Sequence, residues 1–233
     1  MDQKMKLFSK ATLDYLFENR MNDSKAWFEE HKSTYQTEVF APLHDLVEAL
    51  TPVMIKIDPN FTTTPRVDKT ICRIRRDTRF SHDKSLYRDN MWIIFKRGKM
   101  HGTEVPGVYF EISQHGFEYG CGFYHASPAY MNALRTRILR GDKLFLQAEK
   151  ALSSQNTFHL AGECYKRPRF SDQPDRLREW LERREISIIA ESKDFPLLFS
   201  DKLAPMLQQE FEKLAPIYHF FLQTALENHQ LTE

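Results

Sequence analysis

The chain has 233 residues, of which 41% are hydrophobic, 13% aromatic and 28% charged, a mixture that excludes intrinsic disorder and permits a large buried core. With 33 basic against 32 acidic residues the net charge is +1. That balance excludes a chain-wide basic surface of the kind that binds nucleic acid or an anionic membrane, so any such role must come from local charge.

From Phe8 to about Ile57 the apolar residues recur with a helical period: Leu13, Leu16 and Phe17 form one stripe, and Trp27, Phe28, His31 and Tyr35 a second. Asn22 and Asp23 punctuate between the stripes as turn or capping residues. Pro42 suits the first turn of a third helix, whose buried face is Leu43, Leu46, Val47 and Leu50. Between about 70 and 124 the period shortens to two, and the spacing predicts a β-meander with strands at Ile71 to Phe80, Met91 to Lys96, Val108 to Ser113 and Phe117 to Tyr124. Gln114-His115-Gly116 is expected to close a three-residue hairpin. Gly120-Cys121-Gly122 is too short to cradle a pyrophosphate and reads as a strand against which a neighbouring chain packs closely.

Ser127-Pro128 reads as an N-cap and first-turn proline, and the helix they open stops at Gly141. Asp142 is placed to cap a short helix ending near Leu152. An extended stretch from Thr157 to Tyr165 leads to the basic turn Lys166-Arg167-Pro168-Arg169, whose charge is offset by Asp172 and Asp175. Pro174 opens a helix with Leu177, Trp180 and Leu181, and Glu185 to Ala190 reads as another strand. Ser200 caps a C-terminal helical region that Pro216 is expected to kink or divide. The expected architecture is a single α+β domain over residues 1–233: a helical layer at about 8–57, an antiparallel meander at about 70–124, and helices with short strands at about 127–230.

Cys72, Cys121 and Cys164 lie far apart without a C-x-x-C pair, so neither a disulfide framework nor a cysteine zinc site is signalled, and a reducing cytoplasm fits this usage. The segment MDQKMKLFSKATLDYLFENR lacks the apolar core and cleavage site of a secretory leader, and no apolar run reaches bilayer-spanning length. His31, His44, His101, His115, His125, His159 and His219 are scattered, with no H-E-x-x-H or H-x-H, and no phosphate loop, dinucleotide fingerprint or G-x-S-x-G turn is present; no metal or cofactor is implied.

The densest polar stretch is Arg73 to Arg88. Between Arg66 and Arg88 eight basic residues face three aspartates, a local +5 that leaves −4 for the rest of the chain. A period of two places Arg73, Arg75, Asp77 and Arg79 on one side and Cys72, Ile74 and Phe80 on the other, with Arg76 and Thr78. A row of guanidinium groups repels itself unless carboxylates or a bound anion sit among them, which marks Asp77 and Asp83 as internal partners and a phosphate or carboxylate as an external one. His82, beside Asp83 and Lys84, has the pKa range of a general acid or base.

Several stretches together resemble the family called domain of unknown function 2461. They are NDSKAWFEEHKSTY (Asn22 to Tyr35), RIRRDTRFSHDKSLYR (Arg73 to Arg88), Gly107-Val108-Tyr109-Phe110, the Gly120 to Tyr124 strand, Arg135 with Ile138, LAGECYKRPRF, and LREWL. In the central signature Arg73, Arg76, Asp77, Arg79, Phe80, Ser81, Asp83, Lys84 and Tyr87 match; Leu86 stands where the family tends to carry proline and Phe170 where it tends to carry a small residue or proline. The first departure is expected to loosen the loop after Lys84. The resemblance implies a compact α+β domain and brings no activity, cofactor or catalytic residue with it.

Three readings follow for this segment. The leading one is a domain that binds an anionic ligand, small or polymeric, through Arg73, Arg75, Arg79, Lys84 and Arg88, with Asp77 and Asp83 orienting the guanidinium groups. A single basic strand lacks the wide positive face that nucleic-acid binding uses, which argues against that polymer. The second is a hydrolase or transferase acting on a phosphorylated or nucleotide substrate, with Asp77, Asp83 or His82 in acid–base roles, and the third is an interaction module in which the cluster is purely structural.

Overall fold

The structure is a computed structural model that describes residues 6–79, 81–98 and 103–230, so Phe80 and His101 lie outside the described residues. In chain order the elements are α1 (Lys10–Asn22), α2 (Lys25–Glu30), α3 (Lys32–Tyr35), a π-helical turn (Gln36–Phe40), α4 (Ala41–Ile57), β1 (Asn90–Lys96), β2 (Gly107–Ser113), β3 (Gly116–Gly122), α5 (Pro128–Leu139), α6 (Lys143–Ser153), β4 (His159–Ala161), α7 (Asp175–Leu181), β5 (Ser187–Ser192), α8 (Phe195–Leu198) and α9 (Leu203–Gln230). The strands form one five-stranded antiparallel sheet in the order β1-β2-β3-β5-β4, with helices before and after it in the chain, which makes the protein α+β.

Local capping sets several helix starts. Ser9 and Thr12 form a reciprocal capping box at the start of α1, and Asp23 ends that helix in a left-handed conformation with φ 44°. Ser24, Ser127 and Asp142 cap α2, α5 and α6 by accepting the amides of Trp27, Tyr130 and Leu144. Ser200 accepts the amide of Lys202 just ahead of α9. Pro42 stands in the first turn of α4, which follows α3 and the π turn without a break. Pro216 does not divide α9, which is assigned as continuous from Leu203 to Gln230; the proline withholds one amide without breaking the helix around it.

Four of the expected strands are present, three as β1, β2 and β3 and the one expected at Glu185 to Ala190 as β5, but the described part of Ile71 to Phe80 is not a strand. Among the described residues only single bridges occur there, Ile71 with Ile93 and with Val67, and Arg75 with Tyr87. Thr70 to Cys72 runs along β1, the edge strand, exchanging the Cys72 amide to Trp92 (3.0 Å) and the Ile94 amide to Thr70 (2.8 Å), and so covers part of an otherwise open edge. Beyond that point the segment leaves the sheet. The hairpin between β2 and β3 is also tighter than expected: Gln114 and His115 form the turn and Gly116 already belongs to β3. A Cβ on Gly116, at φ +131°, would meet the Ser192 carbonyl oxygen at 2.2 Å.

Contacts divide the chain into two compact units. The first comprises Met1–Phe95, Tyr109–Glu118 and Glu191–Glu210, and the second Lys96–Val108, Tyr119–Ala190 and Phe211–Glu233. In the first, the apolar face of α4 (Leu43, Leu46, Val47, Leu50, Met54) is fully buried, as are Ile93, Phe95, Phe110 and Ile112 on one face of the sheet. Stacked Phe8 and Phe110, 5.9 Å apart, tie the segment before α1 to β2. In the second, Phe145, Trp180, Phe220 and Phe221 form an aromatic core with ring separations of 5.5 to 6.4 Å. Among the described residues no helix is long and apolar enough to cross a membrane.

Close approach is required where β5 meets β3. A Cβ on Gly120 would sit 2.1 Å from the Ile188 carbonyl oxygen, and one on Gly122 2.7 Å from the Ser187 side chain. Gly120→Ala is therefore expected to separate the two strands and cost about 2 kcal/mol or more, in the range of overpacked cores. The midpoint of chemical denaturation measures it, and an unchanged midpoint would show that the strands can move apart freely.

Candidate functional site

The segment Arg73 to Arg88 is a loop pinched at its base. Its two limbs meet through the Arg75–Tyr87 bridge, the Arg76 amide to the Leu86 carbonyl (2.8 Å) and the Arg88 amide to the Ile74 carbonyl (3.0 Å). The expected alternation survives without a strand: Arg73, Arg75, Asp77 and Arg79 are exposed, Cys72 and Ile74 are buried, and Arg76 and Thr78 lie between.

Why the strand fails is visible in the aspartates. Asp77 Oδ1 accepts the Arg79 amide two residues on (3.2 Å), and Asp83 Oδ1 accepts the Ser85 amide (3.0 Å) and hydroxyl (2.6 Å). Such turns satisfy backbone donors locally and compete with a ladder. The same carboxylates bind guanidinium groups. Asp77 holds Arg79 through Nε (3.0 Å) and Nη2 (2.7 Å), and Asp68 holds Arg73 through Nε (2.6 Å). Asp83 accepts from Arg76 and, at 2.8 Å, from Arg20. Lys84 Nζ donates to the Thr78 carbonyl (2.9 Å), tying the tip to its own limb.

Two anchors outside the segment were invisible to local pattern. Arg20 and Asp23, in the last turn of α1 and its cap, are about one helical turn apart. Asp23 Oδ1 accepts the amides of Leu86 (2.7 Å) and Tyr87 (3.1 Å), while Arg20 donates to the Tyr87 carbonyl (3.2 Å) and to Asp83. This clamp bears on Leu86, where loosening was expected: Leu86 donates an N–H that proline lacks, so at this position the loop gains a tether.

The base of the loop opens onto the solvent-side face of the sheet. Arg88 donates to the Arg73 carbonyl (3.1 Å), and its guanidinium lies 4.4 Å from the centre of the Trp92 ring. On the same strands Asn90 donates to Glu111 (2.9 Å) and Tyr109 to Glu118. Burial raises the Glu111 carboxyl above its usual range, with Glu118 adding to the rise and the Asn90 bond and Arg88 opposing it.

The loop carboxylates shift the other way. Hydrogen bonds from the Arg79 side chain and amide bring Asp77 down to about 2. Those from Ser85, Arg76 and Arg20 hold Asp83 further below the usual carboxylate range. Both are fully ionised at neutral pH. His82 is exposed at the tip. Among the described residues His44, Asp45 and Glu48 bring one ligand atom each within 4.8 Å of one another, but they share an accessible face of α4 where His44 pairs with Asp45 at 3.2 Å, an ordinary surface arrangement. The basic turn at Lys166 to Arg169, in the second unit, is held by Glu182, which accepts the amides of Arg169 and Phe170, and Arg169 stacks on Tyr165 at 3.8 Å.

The chain belongs to the family described as conserved hypothetical protein (DUF2461), which it matches over residues 11–220. No curated protein matches it.

Two outcomes follow from the clamp. Asp23→Ala strands two partly buried amides and is expected to cost about 1–3 kcal/mol, while Asp23→Asn, which keeps an acceptor oxygen and tolerates the left-handed backbone, should cost less; denaturation midpoints of the two variants give the comparison. Because the folded-state pKa values of Asp77 and Asp83 are depressed, their contribution to loop order is complete above the ordinary value of 3.8, and that of Asp77 is lost as pH falls through about 2, that of Asp83 at lower pH still. A carboxyl NMR titration should place the Asp77 midpoint near 2, and a midpoint near 4 would mean the Arg79 contact is not formed in solution.

Proposed function

We propose that this chain binds an anionic, phosphate- or carboxylate-bearing ligand on the exposed side of the Arg73 to Arg88 loop, with Arg73, Arg75 and Arg79 as contact groups and Lys84 and Arg88 adding to the field. The supporting observation is an imbalance. Each of the three aspartates between Arg66 and Arg88 is already engaged, Asp68 by Arg73, Asp77 by Arg79 and Asp83 by Arg76 and Arg20. Arg75 is exposed on the same side and, among the described residues, forms no ion pair. Arg73, with its side chain 61% accessible, uses only Nε for Asp68, and the Arg79 side chain is 77% accessible. Asp77 and Asp83 orient guanidinium groups in advance, which lowers the entropy that an incoming anion must overcome.

An acid–base role for the loop aspartates has less support. A proton carrier works best with a pKa near the operating pH, and both carboxyls lie far below it. Two depressions of about 590 and 420 Å³ are lined by residues of α6, α9 and the turn after α6, such as Ser154, Gln155 and Pro216, and not by the loop.

The test is a thermal-shift titration with inorganic phosphate, pyrophosphate and citrate at low and high salt. At about a hundred times its Kd, a bound anion stabilises by about 2.7 kcal/mol, a readily measured rise in Tm. Arg75→Ala combined with Arg79→Ala should abolish the rise while leaving the Tm without ligand nearly unchanged, as expected for exposed side chains. A response that falls steeply with ionic strength indicates phosphate contacts. If no anion raises the Tm of the unmodified chain, the loop is a structural latch and the binding reading fails.

A further inference from the structure

The buried face of α1 comprises Thr12, Leu13, Tyr15, Leu16 and Asn19. Tyr15 and Asn19 are one turn apart on the same stripe, with residue exposures of 3% and 0%. Thr12 is satisfied by the capping box, where its hydroxyl accepts the Ser9 amide at 3.1 Å. Tyr15 and Asn19 differ: among the described residues, the Tyr15 hydroxyl and both the oxygen and the nitrogen of the Asn19 amide have no hydrogen-bond partner.

Three orphaned polar atoms on one helix stripe are not scattered imperfections. Buried donors and acceptors in native proteins are nearly always matched, by protein or by ordered water, because desolvation without a partner is unfavourable. The surroundings narrow the occupant. The rings of Trp27 and Tyr35 lie 5.6 and 6.1 Å from that of Tyr15. Besides each other, the titratable groups that act directly on the Tyr15 and Tyr35 hydroxyls are Tyr87 and Cys72, while the charges of Arg20 and Asp23 at the end of α1 are engaged with the loop. Burial keeps Tyr35, Tyr87 and Cys72, like Tyr15, protonated and neutral at neutral pH, with the Cys72 thiol pushed up to about 12. A neutral, aromatic lining offers nothing to balance an ion, and apolar molecules would leave the amide unmatched.

We infer that Tyr15 and Asn19 form an internal hydration site holding about one or two ordered waters between α1 and the Trp27 to Tyr35 segment. The Asn19 amide supplies both a donor and an acceptor, and the Tyr15 hydroxyl can act as either, which matches the two-to-four partners an immobilised water needs. The site sits one turn before the clamp. The Asn19 carbonyl accepts the Asp23 amide at 3.0 Å, and Arg20 and Asp23 grip the signature loop, so the water orders the helix turn from which the loop is held. This inference stands independently of anion binding.

A high-resolution crystal structure is expected to show water density within hydrogen-bond distance of Asn19 Nδ2 or Oδ1 and of Tyr15 Oη. Direct pairing of the two side chains with no density between them, or an occupant other than water, overturns it. Tyr15→Phe gives an independent sign test, since it removes one oxygen and little else. With water in place its Tm falls by about 2–4 °C, because the water loses a partner. An unchanged or higher Tm would mean that a bare, unsatisfied hydroxyl had been removed, and would overturn the inference. Asn19→Leu, close in volume, carries the same sign. If that variant fails to fold, Tyr15→Phe decides.

Discussion

One constraint organises the first unit: the arginine-rich segment cannot leave the sheet unless its backbone amides and its guanidinium groups both find oxygen acceptors. Asp23, Asp77 and Asp83 are the side chains that meet this need. Asp77 and Asp83 accept amides two residues ahead and guanidinium donors with the same carboxylates, so they bend the chain and neutralise part of its charge together. Asp23 accepts amides at a distance of 63 residues in sequence, taking that of Leu86, while Arg20 one turn earlier takes Asp83. Each charge-assisted bond on the accessible side is modest alone, but together they leave few conformations for the loop.

The same constraint explains what the loop offers to solvent. Aspartates that both turn the chain and fix guanidinium groups leave those groups in set positions, with Arg73 and Arg79 still largely accessible and with Arg75 outside any ion pair among the described residues. A positive patch of this kind differs from a flexible basic tail, because less order is lost when an anion arrives. At the base, Arg88 leaves the loop and lies over Trp92, near Glu111 and Glu118 on the open sheet face. Loop and sheet face thus meet at one arginine, and the raised carboxyl of Glu111 contrasts with the depressed carboxyls above it. Water exclusion governs the first, and hydrogen bonding to guanidinium groups governs the others.

Where the sequence could be read, the cause was local. Ser127, Asp142 and Ser24 act within one turn of themselves, so their caps follow from residue type and spacing. Gly120 and Gly122 announce a close neighbour, although not that the neighbour is β5. The alternation of exposed and buried residues from Cys72 to Arg79 was also legible, because it needs only an extended chain over a core. The strand inferred from it was wrong: pattern reports extension, whereas a strand needs a partner, and here Asp77 takes the Arg79 amide while the Arg76 amide pairs with the returning limb at Leu86.

Residue types and their spacing by themselves determined an α+β chain with helices on either side of a meander, a positive excess confined to Arg66 to Arg88, and the side of that segment that faces water. Only the tertiary structure decided that the segment is a clamped loop, that Arg20 and Asp23 hold it, and that, among the described residues, the Tyr15 hydroxyl and the Asn19 side-chain amide find no hydrogen-bond partner. The physical reason is the range of the interactions. Caps, turns and alternation are settled within a few residues, whereas a carboxylate that accepts an amide 63 positions away, or a buried side-chain amide with no protein partner among the described residues, is defined only when distant parts of the chain are brought together.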